Sequence, residues 1–151
     1  MANEIQADYA SGSVLYAVIR NRQGQVWRPA GQEFENWGAS GHTAGDYAVA
    51  LTDQSGSRHV GDLDSNIPPG SYSIQIFRQA GANPADTDAL VSGREVIWTG
   101  TGELTAAKIL ANKAVQDKVT LAVDYYDDDG QTILLRQEWQ EQAVTSTRAP
   151  Q

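Results

Sequence analysis

The sequence predicts a mainly β chain that carries one helix near its C-terminal end. Three observations predict this fold class: short runs rich in β-branched and aromatic residues, turn residues roughly every ten positions between them, and one later segment with helical spacing. Short strands at this spacing are typical of a β-sandwich or a small barrel. The 151 residues are enough for about one hydrophobic core.

The first strand signal lies at residues 13–20, where the run SVLYAVIR places apolar side chains on both faces. This pattern indicates a strand that is buried on both sides. The turn residues NRQG follow, and Gly24 can adopt a positive φ. The chain is therefore expected to return as a hairpin at 25–27.

The middle of the chain is predicted to hold a loop and a second hairpin. Glycine and proline punctuate residues 29–45, where Phe34 and Trp37 are the anchors, so this stretch is predicted to be a long loop or a weak edge strand. Residues 47–52, YAVALT, alternate large and small side chains, and the turn DQSG leads to a partner run at 60–63.

The clearest strand signal is IPPGSYSIQIF at residues 67–77, where Tyr72, Ile74 and Ile76 alternate with other side chains. Rigid prolines lead into this run, which predicts a strand with one core face. Its Pro-Pro-Gly-x-Tyr turn resembles a corner of immunoglobulin-like and prealbumin-like sandwich modules. The resemblance implies an Ig-like β-sandwich over residues 1–100.

A change of period after the predicted strand at 90–98 indicates a helix. Good helix formers at 103–117, ELTAAKILANKAVQD, place Leu104 and Leu110 on one apolar stripe. This spacing predicts one amphipathic α-helix of about four turns, with Thr101 as its N-cap.

The C-terminal part is predicted to end in a β-hairpin. Strand patterns at 119–126 and 132–139 are joined by DDDG, whose Asp-Gly end is a strong hairpin signal. Residues 101–151 are thus predicted to form a helix, a hairpin and a loose C-terminal tail from 145 onward.

Composition excludes several functions. A net charge of −8 without a Lys/Arg stripe would repel a phosphate backbone, so nucleic acid is not an expected partner. The sequence contains no cysteine, so disulfides, thiolate metal sites and cysteine nucleophiles are impossible. Neither a secretory signal at the start nor an apolar run of membrane-spanning length is present, so no membrane association is expected.

No metal or cofactor is predicted. Gly-Thr-Gly at 100–102 superficially matches a dinucleotide-binding turn, but Thr105 replaces its third glycine and a single helix cannot build a doubly wound sheet. The acidic run at 124–130 suggests calcium, yet alignment with an EF-hand loop puts Tyr125 and Arg136 at ligand positions. A plain connection and a solvated turn are the expected structures.

The sequence offers little support for an enzyme, and no catalytic residue is predicted. His42 and His59 lie in loop-like surroundings without a partner at a spacing typical of zinc sites or assisted bases. No Gly-x-Ser-x-Gly elbow occurs. A triad scattered along the sequence and a metal-dependent hydrolase stay as alternatives.

Four tryptophans could form a core or a platform for sugar rings, because aromatic faces are flat and apolar. Trp98 and Trp139 lie in strand patterns and are predicted to be core residues. Trp37, between Asn36 and Gly38, is the candidate for exposure. With Phe34 it defines the alternative function, a carbohydrate- or receptor-binding β-sandwich module.

A further resemblance concerns residues 108–118, KILANKAVQDK, and 124–134, DYYDDDGQTIL. This helix followed by a Tyr-Asp-Asp-Asp-Gly-x-Thr hairpin resembles small structural proteins of tailed bacteriophages and prophages. The hairpin LYAVIRNRQGQVW and the run PPGSYSIQIFRQAG are similar to β-rich accessory tail, baseplate or head-decoration proteins.

The resemblance implies a virion structural protein without fixed catalytic residues. It would be synthesised and assembled in the host cytoplasm, contact other virion proteins and attach a fibre or spike to the particle. A lone amphipathic helix must cover its stripe on the sheet or on a neighbouring subunit, which predicts a homo-oligomer. The candidate contact surface comprises Phe34, Trp37, Leu104 and Leu110.

Overall fold

The computed structural model describes residues 3–111, 113–126 and 130–138, and these residues are mostly β. The chain divides into two compact units, Met1–Leu104 and Thr105–Gln151, called here the N-terminal and C-terminal units. The sequence-based boundary between residues 100 and 101 lies shortly before this division. The predicted mainly β fold class is confirmed.

The described part of the N-terminal unit contains nine strands, one α-helical turn and one 3-10 turn. In chain order they are β1 (Ile5–Asp8), β2 (Leu15–Asn21), β3 (Val26–Arg28), β4 (Glu33–Glu35), the 3-10 turn (Ala39–Gly41), α1 (Ala44–Tyr47), β5 (Val49–Ala50), β6 (Thr52–Asp53), β7 (Arg58–Gly61), β8 (Gly70–Arg78) and β9 (Ala89–Trp98).

These strands form two antiparallel sheets that share one core. The larger sheet has the order β4-β3-β2-β8-β9, with β5 on the first half of β2, and the smaller sheet has the order β1-β7-β6. One contiguous cluster joins buried side chains of both sheets, among them Ile5, Ala7, Leu15, Ala17, Ile19, Trp27, Ile74, Ile76, Val96 and Trp98. The core position predicted for Trp98 is confirmed, whereas Trp139 lies outside the described residues.

Strand β2 is buried on both faces, as its sequence predicts. Leu15, Ala17 and Ile19 belong to the shared core, because alternate side chains of a strand point to one face. Tyr16 and Val18 point to the opposite face of the larger sheet, called here the outer face, where they pack with Val26, Tyr47 and Phe77. The sheet therefore has apolar side chains on both faces.

The predicted alternation in β8 is confirmed, since its buried side chains are Tyr72, Ile74 and Ile76. The hydroxyl of Tyr72 donates a hydrogen bond of 2.7 Å to the carbonyl of Pro68. This bond fixes the corner at which the proline-rich segment enters the strand.

The prediction of one strand over residues 47–52 is wrong. Tyr47 ends α1, Val49–Ala50 pairs with β2 of the larger sheet, and Thr52–Asp53 pairs with β7 of the smaller sheet. The chain crosses between sheets at Leu51, which is 9% exposed and packs in the shared core. Burial of Leu51 in the shared core favours this crossing over a single continuous strand.

The C-terminal unit contains α2 (Ala106–Ala111), β10 (Ala114–Asp117), β11 (Ala122–Tyr126) and β12 (Ile133–Glu138) among its described residues. The three strands form an antiparallel sheet in the order β10-β11-β12. The predicted pairing of the last two strands is confirmed, while Asp127–Asp129 of their turn lie outside the described residues.

The predicted helix over 103–117 is wrong at both ends. It begins after Thr105, whose hydroxyl accepts the Lys108 N–H at 3.2 Å, so Thr105 rather than Thr101 is the N-cap. Ala114–Asp117 pairs with β11 instead of continuing the helix. Helix propensity is a weak preference, and pairing with a neighbouring strand overrides it here.

Replacing Ile74 by alanine is expected to lower the free energy of unfolding by about 2–5 kcal/mol, because a fully buried side chain is lost and a cavity is left. Urea denaturation measures this change. The matched control is Leu90→Ala on the neighbouring strand, where the residue is 56% exposed. The control is expected to change stability by less than about 0.5 kcal/mol, and equal losses in both variants would contradict the placement of the core.

Candidate functional site

The outer face of the larger sheet carries a concavity of about 260 Å³, called here the Trp37 concavity. Its lining residues are Tyr16, Arg20, Trp37, Phe77, Ala85 and Asp86. They come from β2, β8, the segment after β4 and the loop before β9, so the sheet brings together positions that are far apart in sequence.

The floor of the concavity follows from strand register. Tyr16 on β2 lies opposite Phe77 on β8, and their rings stack with centroids 5.5 Å apart and planes 16° apart. Directly opposed aromatic side chains are favourable cross-strand pairs. The same register fixes Arg20 farther along β2 on the same face.

Arg20 is held in a defined position by three contacts. Its Nε donates to Gln75 Oε1 at 2.9 Å, and its Nη1 donates to the Gly24 carbonyl at 3.0 Å. The guanidinium carbon lies 4.9 Å from the centroid of the Trp37 ring, which is a cation–π contact. Gly24 has a φ of 81°, so the positive φ expected for this turn is confirmed.

Asp88 fixes the loop that forms the rim of the concavity. Its carboxylate accepts the N–H groups of Ala80 at 2.9 Å and Ala85 at 2.8 Å, and the Tyr16 hydroxyl at 3.1 Å. The two backbone donors and then Tyr16 hold the pKa of Asp88 below its ordinary value. Burial and then the bond to Asp88 raise the pKa of Tyr16 to about 12. This loop also carries Asp86, the rim carboxylate.

Trp37 is supported by a polar cluster centred on Glu35. Its ring lies 4.8 Å from that of Tyr47, which is fully buried. The Tyr47 hydroxyl accepts the Gly38 N–H at 3.0 Å and donates to Glu35 Oε1 at 2.9 Å. The loop on either side of the indole is thereby tied to α1 and β4.

The Glu35 carboxylate has two further partners. His42 Nδ1 lies 2.6 Å from Oε1, and Arg28 Nε lies 3.4 Å from Oε2. Burial opposes ionisation, but the hydrogen bonds from His42 and Tyr47 outweigh it, so the pKa of Glu35 lies below its ordinary value. Burial and the bond to Glu35 raise the pKa of Tyr47. Glu35 therefore stays charged while Tyr47 stays neutral near neutral pH.

His42 has no partner at the sequence spacings considered above, but its Nδ1 contacts Glu35, which lies seven positions earlier in the chain. Thr43 and Asp46 form a capping box that starts α1 directly after His42. The Thr43-x-x-Asp46 spacing is typical of a helix start, but it does not indicate that His42 contacts Glu35. Among the described residues, no hydroxyl is hydrogen-bonded to His42 as a nucleophile would be.

His59 is a core residue, and its predicted loop-like environment is wrong. It lies in β7 and is 0% exposed. Its Nε2 donates to the Ser13 carbonyl at 3.1 Å and lies 3.9 Å from Asp53 Oδ2. An imidazole sealed in this way has no access to a substrate.

The structure separates the residues of the predicted contact surface. Phe34 stacks on Tyr72 with centroids 5.3 Å apart and lines another concavity of about 240 Å³ with residues 21–23 and 70–72. Trp37 packs against the outer-face cluster instead. The two aromatic side chains therefore do not form one platform.

The other two predicted contact residues do not share a helix face. Leu104 precedes α2, is half-buried and donates its N–H to the Ile97 carbonyl at 2.8 Å. Leu110 lies in α2, and its side chain is outside the described part of the structure.

The Gly-Thr-Gly segment at 100–102 forms a tight turn closed on β9. Thr99 N–H donates to the Gly102 carbonyl at 2.9 Å, and Glu103 forms a bridge with Trp98. Within the described residues, no three His, Asp or Glu side chains are grouped to hold a metal ion. No helix in the described part of the chain is long and apolar enough to cross a membrane.

Comparisons of the chain with protein-family models, with curated proteins and with solved structures found no match. Its function therefore has to be inferred from its own geometry.

Stability is expected to fall in acid, because the pKa of Asp88 is lowered in the folded protein. A lowered carboxyl pKa contributes stability above the ordinary value of 3.8, and this contribution is lost as pH falls through the folded value. Thermal unfolding from pH 7 to pH 2 should show a lower midpoint for Asp88→Asn at neutral pH and a shallower decline in acid. Asp86→Asn is the control, and an unchanged acid limb in Asp88→Asn would contradict the assignment.

Proposed function

We propose that this protein is not an enzyme but a structural component of a tailed-bacteriophage particle, held in place by contacts with other virion proteins. The observation that carries this proposal is the apolar surface of the C-terminal unit. Its exposed large side chains are Val115, Val119, Leu121, Ile133 and Leu135.

This apolar surface needs a protein partner. Val119 is 92% exposed and Ile133 is 46% exposed, whereas Ala122 is the one buried hydrophobic residue among those described in this unit. A three-stranded sheet becomes stable when one apolar face is covered. The strand register places Val115 and Leu135 on opposite faces, so apolar side chains are exposed on both faces of this sheet. Identical copies in a closed assembly would cover them through repeated contacts.

The edge of the larger sheet provides a second point of attachment. β9 is the last strand in the sheet order. Its first half, residues 89–93, pairs with β8 along one edge and has no strand partner along the other edge among the described residues. An open edge of this kind can accept a strand from another chain through backbone hydrogen bonds. Leu90, at 56% exposure, lies within this open half.

The phage assignment rests on the resemblance of residues 108–118 and 124–134 to small tailed-phage structural proteins. We infer synthesis and assembly in a host cytoplasm, location in the virion, and a role that includes homo-oligomer contacts and attachment of a fibre or spike. The net charge of −8 supports this role, because like-charged copies stay dispersed until a complementary surface captures them.

We also infer that the N-terminal unit is an Ig-like sandwich. The strand orders β1-β7-β6 and β4-β3-β2-β8-β9 correspond to B-E-D and C″-C′-C-F-G of a variable-type domain. The Tyr72 hydroxyl bound to the Pro68 carbonyl matches the hydrogen bond of a tyrosine corner at the start of strand F. The additional pairing of β5 with β2 departs from that pattern.

The proposed role predicts that the protein is part of purified particles. Particles released from cells that carry this gene would be banded on a density gradient and probed with an antibody to this chain. We expect the protein in the particle band at a fixed ratio to the major coat protein. Recovery solely in the unassembled fraction would refute the virion assignment.

The apolar surface makes a separate prediction for the purified chain. Sedimentation is expected to show concentration-dependent species larger than the 16.3 kDa monomer. Val119→Lys with Ile133→Lys should shift the protein toward monomer, since charges placed at an apolar contact must be desolvated. Val14→Lys, at a residue 58% exposed in the N-terminal unit, is the matched control. A wild-type monomer up to roughly 100 μM, a concentration at which micromolar association would saturate, would contradict self-assembly.

A further inference from the structure

The Trp37 concavity combines an aromatic floor with polar groups that make no hydrogen bond within the described part of the chain. Tyr16, Phe77 and Trp37 provide three rings, and the last two of these residues are half-buried rather than sealed. Flat apolar ring faces match the C–H face of a pyranose. The floor is therefore suited to a sugar ring.

The rim offers both donors and acceptors. Within the described residues, the Trp37 indole N–H and the Arg20 Nη2 make no hydrogen bond. The Asp86 carboxylate likewise accepts none from the described part of the chain. A ligand rich in hydroxyl groups can satisfy donors and acceptors at once, because each hydroxyl has one donor and two acceptor sites.

Charge distinguishes among possible ligands. The Arg20 guanidinium already lies 4.9 Å from the Trp37 centroid, so a cation seeking the same ring face would be repelled. Arg20 attracts an anion, but Asp86 in the same lining and the net charge of −8 oppose it. A neutral polar ligand can bind both charged groups without either repulsion.

The volume of the concavity and the fixed positions of its lining residues further limit the class of ligand. The concavity, at about 260 Å³, lies below the range of roughly 300–1,000 Å³ typical of pockets for drug-sized ligands, so it suits one ring. Trp37 is anchored through Tyr47 to Glu35, and the Asp86 loop is anchored by Asp88. These contacts fix the lining before a ligand arrives, which lowers the ordering cost of binding.

We propose that the Trp37 concavity binds one neutral pyranose ring of a glycan. The sugar ring packs on Phe77 beside Trp37, and its hydroxyls bind the Arg20 Nη2 donor and the Asp86 acceptor. This inference is independent of the virion role, since it uses other residues and another unit of the chain.

Saturation-transfer NMR and tryptophan fluorescence test the site directly. The neutral probes are the methyl glycosides of glucose, galactose, mannose and N-acetylglucosamine, and the charged probes are choline and sialic acid. At least one neutral probe should bind saturably with a Kd of about 1–10 mM, the range expected for a small ligand in an open site. Both charged probes should bind more weakly.

Three variants test whether the probes bind at the Trp37 concavity or nonspecifically elsewhere. Trp37→Ala should weaken binding by about tenfold or more, because it removes one wall of the concavity and the ring that positions Arg20. Asp86→Asn leaves every ring in place and should also weaken binding, through loss of a charged acceptor. Ile97→Ala, at a 50% exposed residue at the other end of β9 and outside the lining residues, should leave binding unchanged.

If Trp37→Ala does not fold, Asp86→Asn still tests the same site, because Asp86 is an exposed loop residue. No saturable binding of any neutral probe at about 50 mM, well above the expected Kd, would refute the proposal. Tighter binding of choline or sialic acid, or equal binding by wild type and Asp86→Asn, would refute it as well.

Discussion

The antiparallel pairing of β2 with β8 is the constraint on which the N-terminal unit depends. Seven residue pairs, from Leu15 with Arg78 to Asn21 with Tyr72, set which side chains enter the shared core and which reach the outer face. A slip by one residue would exchange the two sets, because side chains alternate along a strand. The register therefore determines the core, with Ile19 beside Ile74, and the floor of the Trp37 concavity, with Tyr16 beside Phe77.

Acidic side chains of this unit act mainly as organisers of loops. Asp88 accepts two backbone N–H groups, and Asp53 accepts the N–H groups of Gly12 and Ser55. Glu35 holds two turns through His42 and Tyr47. The hydrogen bonds that these carboxylates accept lower their pKa values, which makes them poor general bases near neutral pH. Asp88, Asp53 and Glu35 therefore have structural roles in the loops that they organise.

Local patterns predicted some of the strands but not β1, and contacts between distant segments cannot be inferred from local patterns. Alternation predicted β8, and the Asn-Arg-Gln-Gly turn predicted the first hairpin. The predicted helix extends too far because helix propensity does not reveal that Ala114–Asp117 has a strand partner. Phe34 and Trp37 are three positions apart, yet the direction of β4 and the turn after it send them to opposite faces. The concavity needs residues from four separate segments, and that combination follows from register and loop closure rather than from any motif.

The open edge of β9 also limits how a partner can attach. In the second half of the strand, Arg94 forms a bidentate pair with Glu103 at 2.8 and 2.9 Å, and Leu104 N–H binds the Ile97 carbonyl. These contacts cover that half, so an added strand can extend over about five residues at most, the length of a short natural strand. Hydrogen bonds over so short an edge give modest affinity, because each contributes little net free energy. In the proposed virion role, the apolar side chains of the C-terminal unit supply a second contact, and linking two weak contacts raises the effective concentration of each.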